Sequence, residues 1–212
     1  MRLEEFFLKW SGIHGGAKVS GVVRAWLTIS FRIVNPLAAA RITPNTLSYL
    51  SIATGALFAI FASSNWALLL LVISLLLDGI DGSLAIFTGR TSNFGALLDA
   101  VADRIVESFW FLGFYLMGAP IELILTVWIA TYLQEYMRAR FASFGFEEIV
   151  LVTWSERPVR ASVIFIALVV RTIGIDSIDI FLLSAWFLAI LQLASATKLF
   201  LALQSHLQQS QR

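Results

Sequence analysis

A chain of 212 residues that is 58% hydrophobic, only 14% charged and of mean hydropathy +0.83 is too apolar for a soluble domain of its size and reads as a polytopic membrane protein. A net charge of +1 supplies no basic field, so no nucleic-acid partner is expected. The absence of cysteine excludes disulfides, thiolate metal sites and a cysteine nucleophile.

Residues Met1 to Trp10 place Glu4, Glu5 and Lys9 among apolar neighbours and lack a continuous apolar run with a cleavage site, so no cleaved signal peptide is expected. Val22, Trp26, Ile29, Ile33 and Leu37 then recur at helical spacing, with Arg24, Thr28, Arg32 and Asn35 on the other side. This pattern predicts a helix in the cytoplasmic interface within an amphipathic segment, residues 1–45. Six apolar runs follow in a domain over residues 46–205: Leu47 to Ala62, Trp66 to Ala85, Phe94 to Met117, Ile121 to Phe141, Val159 to Val170, and Ile180 to Leu203. Each is read as a transmembrane helix, the fifth only if it continues through Arg171 to Ile173. Turn formers separate them at Ser63 to Asn65, Thr88 to Asn93, Gly118 to Pro120 and Gly174 to Asp179. Residues 206–212 read as a tail. Lys and Arg concentrate before the first run, in the loop holding Arg90, and around Arg138, Arg140, Arg157 and Arg160, which places both termini in the cytoplasm. The expected fold class is thus all-α integral membrane, with six transmembrane helices and an N-terminal interfacial helix. No internal repeat of the kind that builds many transporters is visible.

Four acids stand against this apolar background. Asp78 and Asp81 are three residues apart and Asp99 and Asp103 four apart, so each helical pair presents both carboxylates on one face, and the pairs meet at similar depth across the Arg90 loop. Carboxylates at bilayer depth are costly, and four in one pocket must be protonated, paired with arginine, or bound to divalent cations. Arg104 can neutralise only one. Hard oxygen ligands of this type suit Mg²⁺ or Mn²⁺ holding a phosphate or pyrophosphate. Gly79, Gly82, Ser83, Ala85, Gly95, Ala96, Ala100 and Ala102 interleave with the acids and allow close approach of a ligand or another helix; Gly79 and Ala100 read as helix-packing positions.

The order Asp78-x-x-Asp81-Gly82-x-x-Ala85, nine residues, Gly95-x-x-x-Asp99-x-x-x-Asp103 resembles the signature of the CDP-alcohol phosphotransferases, membrane enzymes of phospholipid synthesis. Ile86 stands where that signature has arginine. Ile42-Thr43-Pro44-Asn45 and the clusters Arg138-Ala139-Arg140 and Glu156-Arg157-Pro158-Val159-Arg160 extend the resemblance, the last two toward the branch that makes phosphatidylinositol phosphate.

The resemblance implies transfer of a phosphatidyl-type group from a CDP-alcohol such as CDP-diacylglycerol to a small alcohol, inositol phosphate or glycerol phosphate among them, with release of CMP. It implies a two-metal site of Mg²⁺ or Mn²⁺ on Asp78, Asp81, Asp99 and Asp103, with Asp103 also the general base on the acceptor hydroxyl. Donor binding falls to Asp78, Asp81, Gly82, Ala85 and Gly95, with Arg90 as a substitute for the missing arginine. Acceptor phosphate binding falls to Arg104, Arg138, Arg140, Arg157 and Arg160, although these arginines also satisfy the positive-inside rule without any ligand. A homodimer in the inner or plasma membrane of a bacterium or archaeon completes the expectation. An intramembrane prenyltransferase would need other acid spacing and more spans, and an ion- or proton-coupled transporter would spread its acids across the bilayer.

Overall fold

In a computed structural model, residues 1–13, 15–146, 151–175 and 179–210 are described. Among them there are eight helices and no strand: α1 Leu3–Ile13, α2 Gly21–Ala39, α3 Pro44–Ile60, α4 Ala67–Thr88, α5 Asn93–Leu116, α6 Ile121–Ala142, α7 Arg157–Thr172 and α8 Ile180–Ser210. The last six coincide with the six apolar runs. The expected loop from Gly174 to Asp179 falls partly on residues 176–178, outside the described residues, as do residues 211–212 of the expected tail. Helix α8 itself continues past the boundary drawn at residue 205.

The N-terminal segment holds two helices where the sequence predicted one. Gly15 and Gly16, both at positive φ, separate α1 from α2. Helix α2 buries Leu27, Ser30 and Val34; of the predicted stripe, Trp26, Ile33 and Leu37 pack beside them on the core, while Val22 and Ile29 remain exposed. The predicted stripe counted hydrophobicity alone, whereas Ser30 is buried because it is small enough for close helix contact.

Two of the helices, Ala67–Thr88 and Ile180–Gln209, are long and apolar enough to cross a membrane. Helices α3 and α7 have 17 and 16 residues, below the roughly 20 that span hydrocarbon. Helices α5 and α6 are long enough but carry Asp99, Asp103, Arg104 and Glu107, and Glu122, Glu135, Arg138 and Arg140. Along α8, Leu183, Trp186, Phe187, Ile190, Leu193, Phe200 and Leu201 are exposed, an apolar surface that water does not favour.

The chain divides into two compact units, Met1–Leu57 with Val72–Glu107, and Phe58–Leu71 with Ser108–Arg212. The first is built on two apolar clusters. Phe6, Phe7, Leu27 and Ile86 form one, and Val34, Leu47, Ile80 and Leu84 form the other. In the second unit α8 packs against α6 and α7, with Phe141, Leu199 and Leu203 in a shared cluster. Arg171, through which the fifth run continues, donates to the carbonyls of Ala62 and Ser64 at 3.0 Å each and so holds the turn before α4.

Candidate active site

All four acids lie in the first unit, and the ends of α3, α4 and α5 position them. Thr43 accepts the Thr46 N–H at 3.2 Å while Pro44 takes the first helical position, where no N–H is needed, so α3 starts with Asn45 and Ser48 in its first turns. Helix α4 stops at Gly89, whose φ of +66° a side chain would resist; the Arg90 N–H reaches back to the Ala85 carbonyl at 2.9 Å. Ser92 then caps α5 by accepting the Gly95 N–H at 3.0 Å.

Asp78, Asp99 and Asp103 each bring a carboxylate oxygen within 4.8 Å of the others. Asp81 is bound differently. It is 4% exposed; one oxygen accepts the Ser48 hydroxyl at 2.6 Å, and the other accepts the Gly82 N–H at 2.6 Å. Arg104 lies 3.6 Å from Asp103 and 3.5 Å from the fully buried Glu107. One cation cannot balance this number of acids, and an all-oxygen set with this spacing fits Mg²⁺ or Mn²⁺.

Beside the acids is a cavity of about 250 Å³ lined by Ile13, Pro44, Asn45, Ser48, Asp81, Gly82, Ala85, Ile86, Arg90, Thr91, Ser92, Gly95, Ala96 and Asp99. The structure thus gathers Asp81, Gly82, Ala85, Gly95 and Arg90, the expected donor-binding residues other than Asp78, around one space. The glycines around the acids on α4 and α5 divide by what a methyl group would meet. At Gly82 there is nothing within 4 Å, so no packing demand explains a glycine in mid-helix there, whereas at Gly95 the Ser92 hydroxyl lies at 3.1 Å and at Gly79 the Trp26 ring at 2.8 Å. Gly79 is therefore a packing glycine, as read from the sequence, while Ala100 is exposed. Ser48, Ser92 and Glu107 were not singled out from the sequence. Ser48 follows Asn45 by three residues and Glu107 follows Asp103 by four, so helical spacing from already suspect positions was the available signal.

Arg138, Arg140, Arg157 and Arg160 belong to the second unit, where Arg138 and Arg160 serve polar networks. Arg138 donates to Glu156 at 2.9 and 2.5 Å and to Glu135 at 3.2 Å. Burial alone would raise the Glu156 carboxyl, but Arg138 and the Thr153 N–H and hydroxyl outweigh it and hold it down at about 2. Arg160 is fully buried and donates to the Ser155 carbonyl and to Gln192, which in turn donates to Gln134 at 3.0 Å. Arg157 lies 5.0 Å over the Trp110 ring and Arg140 4.8 Å over that of Phe144.

A model of the CDP-alcohol phosphatidyltransferase family matches residues 41–197, which include every acid described above. The chain belongs to this family. It is thereby one of the CDP-alcohol phosphotransferases, a membrane-embedded class of transferases in phospholipid synthesis. It is 30% identical to the archaetidylinositol phosphate synthase of Pyrococcus horikoshii, over 79% of this chain and 90% of that protein. It is 35% identical to the protein of the same name from Aeropyrum pernix, over 55% of this chain and 54% of that protein, so the match spans about half of that relative. The fold is that of the phosphatidylinositol phosphate synthase of Mycobacterium tuberculosis. The structure of that protein with CDP-DAG bound superposes with a TM-score of 0.70 at 21% identity, covering 83% of this chain and 94% of the other. A second structure of it, in complex with manganese and citrate, gives 0.71 at 20% identity over 82% and 88%.

Proposed function

We propose that this chain spans the membrane six times and transfers a phosphatidyl-type group from a CDP-alcohol to the hydroxyl of a phosphorylated polyol, with inositol phosphate the preferred acceptor, releasing CMP. The observation that carries the reading is the trio of carboxylates within 4.8 Å of one another beside a cavity into which Gly82 opens. The relatives' names support inositol phosphate as acceptor, and the CDP-DAG and manganese of the similar structures support the donor class and the metal.

Asp78, Asp81, Asp99 and Asp103 would hold divalent metal, which supplies charge neutralisation for a pyrophosphate. Ser48 keeps the Asp81 carboxylate in one orientation. Gly82 and Ala85 leave room for the nucleotide, and Arg90 offers its phosphates a cation. Asp103 accepts the proton of the acceptor hydroxyl as the new O–P bond forms and the bond to the CMP oxygen breaks, CMP leaving with the electron pair. Arg104, 3.6 Å from Asp103 and 3.5 Å from Glu107, fixes where the Asp103 carboxylate points toward that hydroxyl. On the sequence resemblance, the acceptor's own phosphate is assigned to Arg104, Arg138, Arg140, Arg157 and Arg160. Both termini lie in the cytoplasm of a bacterium or archaeon, and the enzyme functions as a homodimer.

The test is CMP release by the detergent-solubilised protein with CDP-diacylglycerol and its ether-lipid counterpart, with Mg²⁺ or Mn²⁺, across inositol phosphate, glycerol phosphate, inositol and serine. Metal-dependent release that requires inositol phosphate and disappears in Asp103→Asn is expected. Equal release with free inositol would overturn the acceptor assignment.

A further inference from the structure

The donor cavity has a wall from outside the family-matched segment. Helix α1 ends at Ile13, well before residue 41 where the match begins, yet Ile13 lines the cavity. The helix is firmly seated. Arg24 of α2 lies 5.3 Å over the Phe7 ring and 3.4 Å from Glu4, and Phe6 meets Phe31 at 5.7 Å, which in turn meets Phe87 of α4 at 5.6 Å. Together Phe6, Phe7 and Leu27 enclose Ile86, which is 8% exposed and also lines the cavity.

Ile86 is where the signature places arginine, and the packing explains how this chain does without one. A guanidinium rooted among Phe6, Phe7 and Leu27 would either lose its hydration or pull away from the cluster, at a cost of kilocalories. An isoleucine there completes the cluster on one side and gives the cavity an apolar surface on the other. The lining accordingly contains two chemistries: Ile13, Pro44 and Ile86 are apolar, and Asp81, Arg90 and Asp99 are charged.

We infer that α1 is a working part of the donor site: Ile13, and Ile86 backed by Phe6 and Phe7, form an apolar face against the uncharged base and ribose of the nucleotide, leaving its phosphates to Arg90 and to the divalent metal that the acids would hold. This rests on the proposed function, because it assumes that a nucleotide occupies the cavity.

The chain has no cysteine, so single-cysteine variants report one position each. Ile13 is 60% exposed and open to a maleimide; Leu8, on the same helix but not in the lining, is 75% exposed and serves as control. Ala96→Cys, with Thr91→Cys as a second choice if that variant fails to fold, reports the cavity itself. The full-length protein in detergent with Mn²⁺ is labelled with and without cytidine diphosphate. At ten times its Kd, the nucleotide should slow labelling of Ile13→Cys about tenfold, in proportion to the unoccupied fraction, and leave Leu8→Cys unchanged. Protection of the cavity reporter without protection of Ile13→Cys would overturn the role of α1 while the donor site stands. Equal slowing of Leu8→Cys would overturn it too, because the effect would then belong to the whole helix. If neither cavity reporter nor Ile13→Cys is protected, the donor site itself is refuted.

Discussion

The Ser48 hydroxyl donates to Asp81 at 2.6 Å from a helix 33 residues earlier in the chain, in a buried position. This bond orients the Asp81 side chain before any ligand arrives, and removing its donor would leave a buried acceptor oxygen short of a partner. Ser48→Ala should therefore reduce stability by about 2 kcal/mol and raise the metal concentration for half-maximal CMP release, while Ser48→Thr retains the donor and most of the activity. A metal titration of the three proteins checks this, and an unchanged midpoint in Ser48→Ala would remove Ser48 from the site.

Two glycines three residues apart on α4 should respond in opposite ways. Gly79→Ala pushes a methyl group against the Trp26 ring at 2.8 Å, so thermal stability should fall, with little change in the KM of the protein that still folds. Gly82→Ala meets no atom within 4 Å and gains helix propensity of up to about 1 kcal/mol, so stability should hold or rise while the donor KM increases. Thermal melts and steady-state kinetics on both variants separate packing from ligand space.

Restoring the signature arginine should damage this protein. Ile86→Arg places a charge within the Phe6, Phe7 and Leu27 cluster, and a loss of about 2 kcal/mol or more is expected, visible as a lower Tm. Ile86→Leu keeps the volume and should cost less than about 1.5 kcal/mol. A fully stable Ile86→Arg would show that the guanidinium escapes to the cavity without disturbing the cluster.

The physical basis of these contrasts explains what could be read from the sequence. The six long helices were legible because apolar runs and turn residues punctuate the chain at Ser63 to Asn65 and Thr88 to Asn93, and the acids stood out because carboxylates are expensive in such runs. Helix α1 was not legible: Glu4, Glu5 and Lys9 break its apolar pattern, and only packing of Phe6 and Phe7 on α2 shows which face is buried. The division of labour among the acids was equally hidden, since spacing makes Asp81 the equal of Asp78 until Ser48 is seen to hold it. Charge alone could not show that Arg138 is bound to Glu156 and Glu135.

The Glu156–Arg138 pair gives a pH dependence with a definite sign. Glu156 sits at about 2 in the folded protein against an ordinary 4.5, so its contribution to stability is complete above pH 4.5 and disappears as pH falls through 2. Glu156→Gln should be less stable than the parent at neutral pH, and the gap should narrow across that acidic window. Melting curves in detergent at a series of pH values would show it; a gap that widened toward acid would contradict the ion pair.

The three clustered carboxylates predict a stability that depends on metal, independently of any turnover. With one oxygen each within 4.8 Å, Asp78, Asp99 and Asp103 repel when ionised, and the single guanidinium of Arg104 is shared with Glu107. Removing one of the charges should therefore help the metal-free protein: Asp99→Asn should melt at a higher temperature than the parent in chelator. Adding Mn²⁺ reverses the order, because an ion bound only by the folded state stabilises it by about 2.7 kcal/mol at a hundred times its Kd, and the variant has lost a ligand. The crossing of the two melting temperatures between chelator and Mn²⁺ is the decisive result. If Asp99→Asn were the less stable protein in both conditions, the acids would be held by protein hydrogen bonds rather than kept apart for a cation.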